Sequence, residues 1–144
     1  MLDHTSIAVK NYDESVKFYD ETFKILGFQR CMTFAFPVPH SDQILKISGY
    51  GKNKKPSFWI SNMSKYPGEI AHAAGVHFAF QAQNVESIDA WYNKCLELGG
   101  KDNGKPGARP QYHPGYYGAF IIDLSGWRIE AVMHNYNGYN QNLY

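Results

Sequence analysis

Cysteine is scarce in this chain. Cys31 and Cys95 are the only two among 144 residues, and they form no CxxC pair. That excludes a disulfide framework and leaves a zinc ribbon without its ligands. A reduced, cytoplasmic protein is the expectation. Charge of one sign is equally lacking. Fourteen Lys and Arg face thirteen Asp and Glu, for a formal charge of +1 and no basic or acidic block. Nothing in that balance suits nucleic acid or recruitment to an anionic membrane. No apolar run approaches the roughly 20 residues that cross a bilayer. The opening "MLDHTSIAVKNYDES" is too short in apolar length and too acidic for a signal peptide. What the chain does have is apolar and aromatic residues, 44% and 16% of the total. That is enough for a sizeable core in one ordinary domain or two half-domains.

The second feature present is repetition. "HTSIAVKNYDESVKFYDETFKILG" from His4 aligns without a gap on "HFAFQAQNVESIDAWYNKCLELGG" from His77, at an offset of 73 residues. His4 falls on His77, Asn11 on Asn84, Phe18 on Trp91, Tyr19 on Tyr92 and Gly27 on Gly100. Each copy opens with a strand of alternating pattern, Ile7 and Val9 in one, Phe78 and Phe80 in the other. Asn11 and Asn84 are suited to N-caps, with Glu14 placed for a capping box. Helices follow, with stripes Val16, Tyr19, Phe23, Leu26 and Ile88, Trp91, Cys95, Leu98. Gly27 and Gly99–Gly100 end them.

Further strands are predicted at Gln29–Phe36, Ile44–Tyr50 and Ser57–Asn62, with "FPVPHSD" and "GYGKNKKP" as turns. In the second copy a weak strand is predicted near Lys101, then Tyr117–Asp123 and Trp127–Met133. "KDNGKPGARPQYHPG" reads as a long loop and a site wall. The predicted unit is β-α-β-β-β, used twice, and the class is α+β. One domain over residues 1–134 contains modules at about 1–66 and 74–134, and residues 135–144 form a tail without a predicted element.

Strand periodicity sorts the polar residues. Ile7, Val9, Phe78, Phe80, Ile129 and Ala131 pack toward helices, so His4, His77 and Glu130 lie on the opposite side. That side is either solvent, with three surface residues, or a cavity. Two imidazoles and one carboxylate are a recurring set for catalytic zinc or for non-haem iron(II).

Paired β-α-β-β-β modules carrying "LDHTSIAV", "GVHFAF" and "YYGAFIIDLSGWRIEAV" resemble the vicinal oxygen chelate superfamily. That group includes glyoxalase I, extradiol dioxygenases, fosfomycin-resistance enzymes and bleomycin-binding proteins. The resemblance covers roughly residues 2–134. It implies two half-open barrels and one divalent ion per site, zinc, nickel, manganese or iron(II), held by His4, His77 and Glu130. It implies a lyase, isomerase or dioxygenase acting on a small oxygen-bearing substrate, with the metal as Lewis acid. A metal-free binding or resistance protein is the alternative. A homodimer is the expected assembly, without nucleic-acid or membrane partners. Glyoxalase I carries a further carboxylate on the last strand of its first module. This chain has Phe58 or Trp59 there, which places lactoylglutathione chemistry in doubt.

Around the ligand set, Glu130, His113 and Tyr117 are the candidate catalytic groups, with His113 as a proton shuttle. Trp59, Tyr112, Tyr116 and Tyr117 are candidates for an aromatic wall. Arg109 is a candidate clamp for an anionic substrate, and Arg128, on the pleat side of Glu130, is a candidate to pair with a substrate or with Glu130 itself. "YHPGYY" reads equally well as an aromatic turn packed on the sheet edge.

Overall fold

The computed structural model describes residues 1–62 and 68–138. The expected end of the first module near residue 66, and residues 139–144 of the tail, lie outside them. The chain divides into two compact units, Met1–Ala73 and Ala74–Tyr144. Among the described residues no helix is long and apolar enough to cross a membrane.

Unit one contains β1 (Thr5–Val9), α1 (Tyr12–Ile25), β2 (Gln29–Pro37), β3 (Ile44–Lys52) and β4 (Lys55–Asn62). Its four-stranded mixed sheet has the order β1-β4-β3-β2, with β1 and β4 parallel. Ile7, Val9, Phe58, Ile60 and Tyr50 are buried together with Phe18, Tyr19 and Phe23 of α1. The Asn11 side chain caps α1 by accepting from the Glu14 amide. Val16, expected in the stripe, is only half-buried. Ser15 and Thr22 are buried instead, and the Thr22 hydroxyl donates to the Phe18 carbonyl. "GYGKNKKP" is a tighter turn than its composition suggested. The strands run on to Asn53 and Lys54, both at positive φ (51° and 61°), the signature of a two-residue hairpin.

Unit two repeats the plan with β5 (Phe78–Gln81), α2 (Val85–Glu97), β6 (Lys101–Ala108), β7 (Tyr117–Ile122) and β8 (Arg128–Met133). The order is β5-β8-β7-β6, with β5 and β8 parallel. Here the cap is reciprocal: Asn84 accepts from the Ser87 amide and Ser87 Oγ faces the Asn84 amide. Ile88, Trp91 and Cys95 of α2 are buried against Ala119, Ile121, Ile129 and Ala131, whereas Leu98 is half-buried.

The weak strand expected near Lys101 is present, and the long loop expected around it is corrected. Residues 101–108 form strand β6, paired antiparallel with β7 through two register breaks. Gly and Pro are tolerated because β6 is an edge strand with bulges, where Pro106 has no ladder bond to break. Asp102 steadies the first break by accepting from the Gly104 amide at 2.8 Å.

Candidate metal and substrate site

Glu130 sits in the middle of β8, and its exposure decides between solvent and cavity. It is 1% exposed. Its neighbours explain how an acid is held there. Gly118 stands on the same pleat side, and a Cβ on it would lie 3.0 Å from Glu130 Oε1 and 3.2 Å from the Tyr116 ring. Only glycine leaves that room, and the Tyr116 hydroxyl uses it to donate to Glu130 Oε1. On the other side, β5 runs parallel to β8 with Ala79 opposite Glu130. His77, two residues earlier, therefore shares the Glu130 face. Its Nε2 lies 3.3 Å from Glu130 Oε2.

Burial raises the Glu130 carboxyl above its ordinary value, opposed by the Tyr116 bond and by the His77 charge. Burial likewise raises Tyr116, and its bond to Glu130 adds to the shift. The carboxylate thus occupies a place that disfavours a bare negative charge, which a cation offsets. Two donors about 2.1 Å from one tetrahedral ion stand roughly 3.4 Å apart. The observed 3.3 Å fits one ion held by His77 and Glu130. Among the described residues no three His, Cys, Asp or Glu side chains gather as a metal set, so unit two offers a pair.

His4 precedes β1 in unit one and is exposed. Its Nδ1 is 2.8 Å from Asp3 Oδ1. That bond, with Lys55 adding to it, holds the Asp3 carboxyl below its ordinary value. A carboxylate accepts only, so His4 Nδ1 carries the hydrogen and Nε2 is the lone-pair nitrogen of the neutral ring. A ligating histidine is commonly oriented in this way. The strand register also settles which residue matches Glu130 in unit one. Ser6 pairs with Trp59 and Ala79 with Glu130, and Ser6 and Ala79 are 73 residues apart. Trp59, not Phe58, stands in the carboxylate's place. Phe58 is buried toward α1, against Tyr19 and Phe23.

Trp59 lies flat over Gly49, where a Cβ would come within 2.6 Å of the indole. Its ring runs parallel to Phe34 at 6.2 Å, and Phe34 to Phe36 at 5.8 Å, both at 18°. Phe34 and Phe36 are 40% and 49% exposed.

The remaining candidates separate. Tyr112 is exposed and packs edge-on against Tyr116, with centroids 5.0 Å apart. Tyr117 is corrected: it stands on the opposite pleat side, among core residues, and its hydroxyl donates to Asp89 of α2 at 2.9 Å. Neighbouring residues of a strand cannot share a face. The Arg109 guanidinium is also turned away from the clamp role. It donates to the Lys105 and Ala108 carbonyls and lies over the Phe120 ring. Arg128 is exposed at the start of β8, and Glu130 is partnered by His77 and Tyr116 instead. One residue was missed. His134 bonds His113 and packs against Tyr116. Its place just past the end of β8, two residues beyond Val132, was the available signal.

Two open mixed sheets with one helix each, and a buried acid beside a histidine, define a glyoxalase-like α+β protein. Residues 1–131 match the Glyoxalase/Bleomycin resistance protein/Dioxygenase superfamily, and the chain belongs to it. A glyoxalase/bleomycin resistance protein from Albidiferax ferrireducens T118 is 24% identical with TM-score 0.67, covering 90% of this chain and 96% of that one. A glyoxalase family protein from Bacillus cereus is 17% identical with TM-score 0.66, covering 92% and 93%. A glyoxalase I variant from Zea mays is 24% identical with TM-score 0.66, covering 91% of this chain and 45% of the maize chain. At these identities the likeness is one of fold. No curated protein matches the chain in sequence.

Proposed function

We propose that the protein is a metal-dependent enzyme of lyase or isomerase type acting on a small substrate with adjacent oxygens. The observation that carries this reading is the buried Glu130 carboxylate with His77 Nε2 3.3 Å away. His77, Glu130 and His4 are the proposed ligands, and a second copy in a homodimer supplies His4. The bound divalent ion, zinc, nickel, manganese or iron(II), would polarise the substrate oxygens as a Lewis acid. The chain's own groups do the rest. Tyr116 holds Glu130 in place by its hydroxyl, and Tyr112 backs the Tyr116 ring. With iron(II) the same two-histidine, one-carboxylate set would suit a dioxygenase.

Elemental analysis of protein purified without a histidine tag is the test. About one divalent ion per chain is expected, lost in Glu130→Gln with the fold retained, because glutamine keeps the size of the buried side chain and its acceptor for Tyr116. No ion after reconstitution with zinc, manganese, nickel and iron(II) would refute the reading. The exposed Phe34, Phe36 and Trp59 stack supports a second one, a metal-free protein that sequesters a planar ligand. That protein would quench tryptophan fluorescence on binding while remaining free of metal.

A further inference from the structure

Both ring nitrogens of His113 are engaged. Nδ1 faces the Pro114 carbonyl, which only accepts, so Nδ1 carries the hydrogen. Nε2 of the neutral ring is then an acceptor, and it receives a hydrogen bond from His134 Nδ1 at 2.8 Å. The ring centroids are 5.1 Å apart and the planes 22° apart. That spacing belongs to two imidazoles joined edge to edge with their nitrogens in line. Two imidazoles converging on one tetrahedral ion would hold their nitrogens roughly 3.4 Å apart, not 2.8 Å. A proton, not a metal, joins this pair.

The consequence falls on His134. With Nδ1 as donor, its Nε2 is the lone-pair nitrogen of an exposed ring. The arrangement is a base oriented through its far nitrogen by a second group, itself fixed by a third. It also stands beside the site. Tyr116 presents its ring to both imidazoles, with centroids 5.4 and 5.2 Å away, and its hydroxyl to Glu130. The turn that carries His113 is fastened to the exit of β8. The Tyr136 amide donates to the Gly115 carbonyl at 2.9 Å, and a Cβ on Gly115 would lie 2.6 Å from the His134 carbonyl oxygen.

We propose that Nε2 of His134 is the proton acceptor of this site, and that His113 is a positioning residue acting through it. The inference rests on the metal-dependent reading above. The step it assigns is enolisation of a bound α-hydroxycarbonyl compound. The C–H bond beside the carbonyl breaks and its proton goes to His134 Nε2. The electron pair moves to the carbonyl oxygen. No oxidant or reductant is required, and return of the proton to carbon completes the cycle.

Two measurements on the full chain test this. In protein labelled with ¹⁵N-histidine, long-range ¹⁵N–¹H spectra are expected to show His113 and His134 both protonated at Nδ1. His134 protonated at Nε2, with Nδ1 as acceptor, overturns the proposal. In D₂O, zinc- or nickel-loaded protein is expected to exchange the carbon-bound hydrogens of hydroxyacetone, read by ¹H NMR. His134→Ala should lower that rate by about 100-fold with metal content unchanged, the scale of a general base, and added imidazole should restore part of it. His134→Gln keeps a donor toward His113 and should match the wild-type melting temperature while still losing exchange. His113→Phe should show a smaller loss. Wild-type exchange in His134→Gln, or metal-loaded wild type with no exchange, overturns the proposal. Protein that takes up no metal sinks the metal reading instead, and the ¹⁵N spectra then decide the state of His134 by themselves.

Discussion

Tyr116 and Tyr117 are neighbours in sequence and opposites in role. The pleat sends one hydroxyl to Glu130 and the other to Asp89. Burial, reinforced by the Asp89 bond, pushes Tyr117 from 10.0 up to about 12. The folded chain therefore holds this proton more tightly than the unfolded one. Its contribution is whole below pH about 10 and is lost as pH rises through about 12. Tyr117→Phe should cost about 1 kcal/mol at neutral pH by removing the bond to Asp89. It should also flatten the alkaline fall in stability. Urea titrations of both proteins across that range check this, and equal alkaline slopes would show that another group is responsible. Since Tyr117 lies away from Glu130, metal content should not change. The sequence could not choose between the two tyrosines, because the register of β7 follows from its pairing with β8. His113 shows the same limit. A histidine beside a proline in a turn is visible in sequence, but its partner His134 is 21 residues away and meets it only after β8 is laid down.

Glycine sets much of the element-scale geometry. Gly49 lies across from Trp59 on the β3–β4 ladder, and the indole covers its Cα. Gly49→Ala puts a methyl where the ring now lies, 2.6 Å from it. The backbone dihedrals tolerate alanine, so the ring must move, leaving its parallel contact with Phe34. A loss of roughly 1–3 kcal/mol is expected, as for other overpacked sites, with a changed near-ultraviolet circular dichroism signal from tryptophan. An unchanged spectrum would mean that the indole is not seated there. At this scale the helices were legible from their asparagine caps, apolar stripes and terminal glycines, all local signals. The hairpins of β3–β4 and β7–β8 were legible from alternation. Strand β6 was not. Its Gly and Pro content is what a loop shows, and only an edge position with two register breaks lets such a segment pair. Trp59 was half legible. Alignment left Phe58 and Trp59 equivalent, and the parallel register of β1 on β4 separated them.

At the scale of the whole molecule, the offset of 73 residues puts β1 and β5, and α1 and α2, in equivalent positions on the amino-acid sequence alone. That repeat carried the fold because each copy encodes its own strand, cap, helix and stop. It could not say which copies assemble around a site. Each sheet is open, ending at β1 and β2 in one unit and at β5 and β6 in the other. Pairing across a two-fold axis is one way to cover such edges. In the proposed homodimer each site takes His4 from one chain and His77 with Glu130 from the other. Mixing two single variants tests this arithmetic. His4→Ala and Glu130→Ala each lack one ligand, and neither should hold metal alone. In a mixed dimer with shared sites, one site collects both defects and the other collects none. Statistical exchange makes about half of the dimers mixed, and each carries one intact site of two, so metal should return to about a quarter of the wild-type level. If every site is built within one chain, each chain keeps its defect and no metal returns. Exchange verified by mass spectrometry of differently labelled chains, with no recovery of bound metal, would rule out the shared site and leave His4 to its own chain.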